Sequence, residues 1–487
     1  RSMYGRKRDR LRDLFTGERT KGIEVHAIKK EGIRVSLWDM AGQQEFHAFH
    51  DCMFPDIGTS SYQFPSMFMF VWSPVDSQSN NRGAEKKDAD FETRFRYWLR
   101  FLASKSPQSI IPLKVILVFT RADQMELVSS SVLNSIDELR YDFEEVIDIV
   151  NPQFDVDARN KDSVKPVAKH IFNIAKNVLH GIELYDICTQ VRKNLLNHSK
   201  ITNEQIITWT KFSEICNIYC QLSNLTSDKD KLNIIALALN ESGNIIYVNG
   251  IKHIVLNPNW FCNQIMGSLI GFPNSKRSSK GNIRFKNGYL PQDFLERKFV
   301  SITRSTVNGS ILVDLMEAMH LCCKVEINNG VPNSHMECLF IPALLVDGSG
   351  LAQLQWRSST KLNVDEDTFV YMGRRLECED KKHTFLTPGL FPRVQVLFNK
   401  AFQSLQNEFK PDVMLGKDFI SICYSNKEII VVFCQAKSEH VIDLLVRAPT
   451  NSQQDVPTTL AYVEKHIINT LITICAQPTG IQGVKLI

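Results

Sequence analysis

Residues 35–46 read Val-Ser-Leu-Trp-Asp-Met-Ala-Gly-Gln-Gln-Glu-Phe, and no other run constrains the fold of this chain as strongly. An apolar strand, Val35 to Trp38, delivers an aspartate at position 39 and a glycine three residues later. Asp39 is spaced to hold a metal-bound water. The backbone N–H of Gly42 is spaced to meet a terminal phosphate, and Gln43 stands where a water-orienting glutamine is needed. Together they suit phosphoryl transfer with a divalent cation. The plain alternative is a strand ending in a turn, because Asp and Gly are ordinary turn residues. The full spelling Trp-Asp-x-Ala-Gly-Gln-x-Glu-Phe tells against it.

The rest of a GTPase is then expected nearby. Upstream, Thr20 stands just before Gly22-Ile23 and a strand from Val25 to Ile28, where a hydroxyl would ligate magnesium. An exposed loop threonine is the alternative, and Thr16 is a competitor. Downstream, Lys114 to Phe119 is a buried-strand run. It ends in Thr120-Arg121-Ala122-Asp123, where Asp123 can accept from the guanine N1–H and exocyclic amine while the Arg121 stem covers the base. A further strand from Phe154 ends in Asp157-Ala158-Arg159, where the Ala158 N–H can meet the guanine O6. These motifs follow in order at the carboxyl ends of expected strands, the edge where open α/β sheets bind ligands.

No Gly-x-x-x-x-Gly-Lys-Ser/Thr loop occurs in the sequence. The first twelve residues are basic and helix-prone, as the first helix after such a loop would be. The expectation is a piece cut inside the nucleotide domain. A phosphate loop supplies backbone N–H groups and a lysine, and each hydrogen bond to a charged group contributes about 1.5–3 kcal/mol. Without three or four of them, binding weakens by at least about a thousandfold. GTP hydrolysis is therefore expected of the parent protein, and inactivity of the piece.

With 487 residues, two to four domains are expected. A net charge of +4 argues against a nucleic-acid surface, and no apolar run approaches the ~20 residues of a bilayer span. The basic start is read as a solvated helix face, with anionic lipid as the minority reading. The twelve cysteines are scattered, with no Cys-x-x-Cys, and read as reduced core thiols of a cytoplasmic protein.

Residues 1–180 alternate strands, expected at 24–30, 33–39, 66–73, 113–119 and 153–157, with helices at 91–102 and 164–179. The stretch 73–90 reads as a surface loop. Beyond 185 the pattern is mostly helical, including 206–212 and 232–239. A strand after Gly243 and another from Ile254 give a winged-helix-like order. From 335 strands are expected at 339–345, 391–398, 419–424 and 429–434, forming an antiparallel sheet with helices on one face.

Four landmarks carry a resemblance: Leu-Asn-Glu-Ser-Gly-Asn-Ile-Ile-Tyr-Val (239–248), Val-Leu-Asn-Pro-Asn-Trp-Phe (255–261), Leu-Phe-Ile-Pro-Ala-Leu-Leu (339–345) and Phe-Leu-Thr-Pro-Gly-Leu-Phe-Pro-Arg-Val-Gln-Val (385–396). With the nucleotide motifs, the chain resembles the Roc-COR tandem of the Roco family, nearest its plant TORNADO-type branch with leucine-rich repeats. The resemblance implies an α/β fold. A Ras-like doubly wound sheet over 1–180, incomplete at its start, precedes a helical, winged-helix-like COR-A domain over 185–330 and an α+β COR-B domain over 335–487. It also implies GTP/GDP and Mg2+ as ligands and a homodimer through COR with protein effectors. A role in plant growth and patterning follows, with any membrane contact peripheral, at the plasma membrane. Thr20 and Asp39 fall at magnesium, Gly42 at the γ-phosphate, Gln43 at the catalytic water, and Thr120, Arg121, Asp123 and Ala158 at the guanine. Thr120-Arg121 and Asp157-Ala158-Arg159 depart from the family's usual Asn/Thr-Lys and Ser-Ala-Lys. The competing classes are a non-catalytic pseudo-GTPase scaffold and a DNA-binding protein.

Overall fold

The computed structural model describes residues 23–40, 47–54, 66–74, 84–106, 112–123, 128, 130–178, 186–222, 229–270, 288–304, 307–328, 335–345, 369–405, 412–424, 427–435, 440–449, 461, 465, 468–476, 480–481 and 483–487. Strands β1 (Ile23–Lys30) and β2 (Ile33–Met40) form an antiparallel hairpin in which Glu24 faces Asp39. The turn uses Glu31 and Gly32, both at positive φ. A short helix, α1 (His47–Met53), follows.

Strands β3 (Met67–Trp72), β4 (Leu113–Thr120) and β5 (Ile147–Val156) form a parallel sheet with β4 in the centre. The unbroken apolar run of β4 is explained by burial on both faces. Val115, Leu117 and Phe119 pack with Phe91, Phe95 and Leu99 of α2 (Ala84–Lys105) and Ile136 and Leu139 of α3 (Ser130–Phe143). Ile116 and Val118 pack with Val167 and Ile174 of α4 (Lys161–Val178) on the other side. Helices on both faces of a parallel sheet give the expected doubly wound α/β layout. Helix α4 packs against β2 as well as β5, which ties the hairpin to the parallel sheet.

Helices α5 (Asp186–Thr202), α6 (Trp209–Leu222) and α7 (Lys229–Glu241) surround a two-stranded pair, β6 (Ile206–Thr208) and β7 (His253–Val255). The stretch 206–212, expected as helix, begins as strand because Ile206-Ile207-Thr208 are β-branched. A π-helical stretch, Trp260–Met266, joins β8 (Tyr289–Pro291), α8 (Gln292–Ile302) and α9 (Gly309–Ala318) in a second core. Strands β9 (Cys323–Asn328) and β10 (His335–Phe340) pair with β8. The strand expected over 339–345 stops at Phe340, because Pro342 has no N–H for a ladder and starts a tight helical turn instead.

The last unit is a six-stranded antiparallel sheet. It contains β11 (Phe369–Cys378), β12 (Asp412–Leu415), β13 (Phe419–Tyr424), β14 (Lys427–Gln435), β15 (His440–Pro449) and β16 (Val484–Leu486), ordered β12-β13-β14-β15-β11-β16. Helices α10 (Leu390–Leu405) and α11 (Asn469–Cys475) share its core. The expected strand 391–398 is part of α10. The period-2 reading of Phe-Pro-Arg-Val-Gln-Val-Leu-Phe failed because its polar residues are buried too: Arg393 is 4% exposed and Gln395 fully buried. The Gln395 amide donates to the Gly416 carbonyl at 2.6 Å, which satisfies it inside the core. The loop expected over 73–90 is also shortened, since α2 begins at Ala84 on good helix formers. The described cysteines are all free thiols, buried except for Cys423 and Cys434. Among the described residues, no helix is long and apolar enough to cross a membrane.

Candidate functional site

The parallel ladder brings three carboxyl ends to one edge, with Trp72 beside Phe119 and Thr120 beside Val156. The Thr120 hydroxyl donates to the Trp72 carbonyl at 3.2 Å, fastening the end of β4 to the end of β3. The chain then turns sharply at Arg121, whose φ of 60° lies in the left-handed region. That turn places Asp123 on the surface beside the loop after β5. There Arg159 contacts the Asp123 carboxylate at 3.1 Å and the Asp157 carboxylate at 2.9 Å. Ala158 is half-buried between them in sequence.

The β5 loop is well determined by its own hydrogen bonds. The Asp157 N–H donates to the Ser163 hydroxyl at 2.8 Å, and Asn160 Oδ1 accepts from the Asp162 N–H at 3.0 Å at the entry to α4. Hydrogen bonds from the Arg159 side chain and backbone hold the Asp157 carboxyl below the usual carboxylate range. The same bonds, and the charge of Asp123, hold the Arg159 guanidinium above its ordinary value. The edge therefore offers an acceptor carboxylate at Asp123 and a backbone N–H at Ala158 on neighbouring loops.

Of the residues expected at the phosphates and metal, Asp39 lies at the carboxyl end of β2, half-buried. Thr20, Gly42 and Gln43 lie outside the described residues. No cluster of three or more His, Cys, Asp or Glu side chains able to hold a metal occurs among the described residues.

The elements on either side of Gly42 and Gln43 are gripped by distant parts of the chain. Asn259 clamps β1 by accepting from the Val25 N–H and donating to the Val25 carbonyl, at 2.5 and 2.8 Å. Arg34 donates to Asn244 and Ser36 to the Ser242 carbonyl, both at 2.7 Å. Gly243, at φ +66°, lies under the Trp38 indole, and a Cβ there would stand 2.8 Å from Trp38 Nε1. On α1, the Asp51 carboxylate meets Lys105 at 3.2 Å and accepts from the Thr387 hydroxyl at 2.5 Å, with Asp51 1% and Lys105 3% exposed. Gly389 passes so close that any Cβ would overlap that carboxylate. Phe385 enters the α2 and α3 core with Arg100 over its ring, and Arg100 also donates to the Thr384 carbonyl at 2.7 Å. His383 reaches the Asp142 carbonyl at the end of α3, and Lys382 its carboxylate.

Neither this grip nor the Arg159 bridge was read from the sequence. The signal was present in the landmarks: Gly243, Asn259, Thr387 and Gly389 all lie within them, and each touches β1, β2 or α1.

One curated relative, Protein TORNADO 1 of Arabidopsis thaliana, is 29% identical over 427 residues. The chain is TORNADO-like. The match covers 82% of this TORNADO-like chain but 29% of the relative's length, and it bears out the Roco resemblance that the landmarks carried. No protein-family model matches the chain. Among solved structures, Methanosarcina barkeri Roco2 RocCORdC bound to GDP aligns over 67% of this chain and 86% of that one, with 20% identity and a TM-score of 0.42.

Proposed function

We propose that this chain is the switch module of a guanine-nucleotide-binding Roco protein, in which nucleotide state is passed from the sheet edge to the COR region. The observation that carries the reading is the placement of three landmark segments on the elements flanking Gly42 and Gln43. Segments 239–248 and 255–261 hold the hairpin that carries Asp39, and segment 385–396 holds α1, which follows the motif. A change at Gly42 on nucleotide exchange would pull on both.

Asp123 and the Ala158 N–H would take the guanine, with Thr120 and Arg121 shaping the turn. Asp39, together with Thr20, would hold Mg2+, which supplies charge neutralisation at the phosphates. Gln43 would orient the attacking water, so Gln43→Leu should slow GTP turnover and leave binding nearly intact. Homodimerisation through the COR-B sheet and a role in plant growth and patterning belong to the same proposal, on the strength of the TORNADO likeness.

The test is hydrogen exchange on the full-length natural protein with GDP and with a non-hydrolysable GTP analogue. Peptides covering α1, β2 and 385–390 should differ in protection between the two nucleotides. Identical protection in both states would leave a non-signalling scaffold as the better account.

A further inference from the structure

The two departures at 157 and 159 compensate each other. The loops after β4 and β5 set the Asp123 and Asp157 carboxylates beside the same edge, where like charges repel. Arg159 stands between them. Its backbone N–H and Nε donate to Asp157 Oδ1 at 3.0 and 2.9 Å, and its Nη2 donates to Asp157 Oδ2 at 3.1 Å. Against these three bonds it makes one contact with Asp123, from Nη2 to Oδ2 at 3.1 Å. The fork is thus anchored on Asp157 and reaches across to Asp123.

We propose that Asp157 and Arg159 form a relay that positions Asp123 for base recognition: Asp157 holds the guanidinium, and the guanidinium holds the carboxylate. The proposal rests on the guanine-site reading above. Arg159 and Asp157 are positioning residues, and Asp123 alone touches the base.

The asymmetry of contacts makes Arg159 a strut rather than a plug. An ionised carboxylate offers about four lone-pair sites. One contact at Oδ2 leaves both oxygens able to accept the paired N–H donors of a guanine edge. Two carboxylates around one guanidinium also leave a net negative charge, which favours donors over acceptors at this spot. Without the strut, Asp123, 40% exposed on a surface turn, is free to rotate and must be ordered by the ligand.

Surface ion pairs contribute little to folding, and Arg159 is 69% exposed, so its substitution leaves the fold intact. The experiment is titration of the full-length natural protein with GDP and IDP; inosine lacks the exocyclic amine and so uses one donor where guanine uses two. Arg159→Ala and Asp157→Ala should each weaken GDP binding about tenfold, the size of one solvent-exposed charged hydrogen bond. The double variant should be no worse than either single one, because both remove the same relay. The preference for GDP over IDP should fall in all three, and Arg159→Lys should restore part of it. An unchanged GDP/IDP ratio in Arg159→Ala, or tighter GDP binding, overturns the relay while leaving the guanine site standing. Wild-type protein that binds no guanine nucleotide overturns both.

Discussion

Asp51 is the most consequential side chain outside the sheet edge, because one carboxylate joins three separate segments. It lies on α1, pairs with Lys105 at the end of α2, and accepts from Thr387 ahead of α10. Lys105 also donates to the Gly480 carbonyl at 3.4 Å. Consider Asp51→Asn. The amide oxygen can still accept from Thr387, but the charge opposite Lys105 is gone. With both groups at 3% exposure or less, removing one partner of a buried pair costs about 3–5 kcal/mol. Asp51→Ala removes the Thr387 acceptor too, adding about 1–3 kcal/mol. A chain of several cores has no single unfolding free energy, so the effect is best read locally by hydrogen exchange. In Asp51→Asn, peptides covering α1, the end of α2 and 384–390 should open together, by roughly two to three and a half powers of ten. The distal strands β12 and β13 should be unaffected. The apolar pair Asp51→Leu with Lys105→Met should recover most of the protection, since a well-packed apolar pair can replace a buried ion pair without loss. Exchange in Asp51→Asn equal to wild type, or opening confined to α1, would refute the view that this pair fastens α1 to the C-terminal unit.

Other outcomes follow from the same packing. Gly243→Ala places a methyl group against the Trp38 indole at a positive φ; it should cost about 1–3 kcal/mol locally, seen as faster hydrogen exchange in peptides covering β1 and β2 with a shifted Trp fluorescence, whereas unchanged exchange there would mean the hairpin is not held at Gly243. Acid should loosen the C-terminal half. Burial first, and then the charges of Arg393 and Lys400, push His320 down to about 4 from 6.5, and burial lowers His440 as well. The unfolded chain takes up the His320 proton near pH 6.5, the folded chain only near 4, so stability is full above about pH 6.5 and falls as pH drops toward 4. After allowance for partial exposure the local loss at pH 5 is about 1–2 kcal/mol, and His320→Gln should flatten that pH dependence in hydrogen exchange of peptides covering α9 and β9.

What the sequence revealed and what it hid have physical reasons. Strand β4 was legible because a doubly covered parallel strand is apolar throughout, and the turn after it because Thr120 to Asp123 punctuates the run. The hairpin's two strands were legible over 24–30 and 33–39 from their composition, and the structure places them at Ile23–Lys30 and Ile33–Met40. Helix α10 was not, because burial of Arg393 and Gln395 erased the polar face by which a helix announces itself. Pro392 in the first turn, where no N–H is needed, was the clue to its start. The Arg159 bridge was invisible for another reason. It joins residues thirty-six positions apart (159 minus 123) that only the β4–β5 pairing makes neighbours. The grip of Thr387 and Gly389 on Asp51 is longer in range still, joining positions more than three hundred residues apart.

The central claim, that the β4–β5 edge reads guanine, is tested most directly by exchanging the hydrogen-bond character of position 123. Asp123→Asn in the full-length natural protein replaces an acceptor oxygen with an N–H donor. Titration with GDP and XDP should show GDP affinity falling on the order of a hundredfold or more, the value of two hydrogen bonds to a charged group. XDP, whose base presents a carbonyl where guanine has its amine, should gain. Unchanged GDP affinity together with no XDP binding would contradict the claim and remove Asp123 from the site.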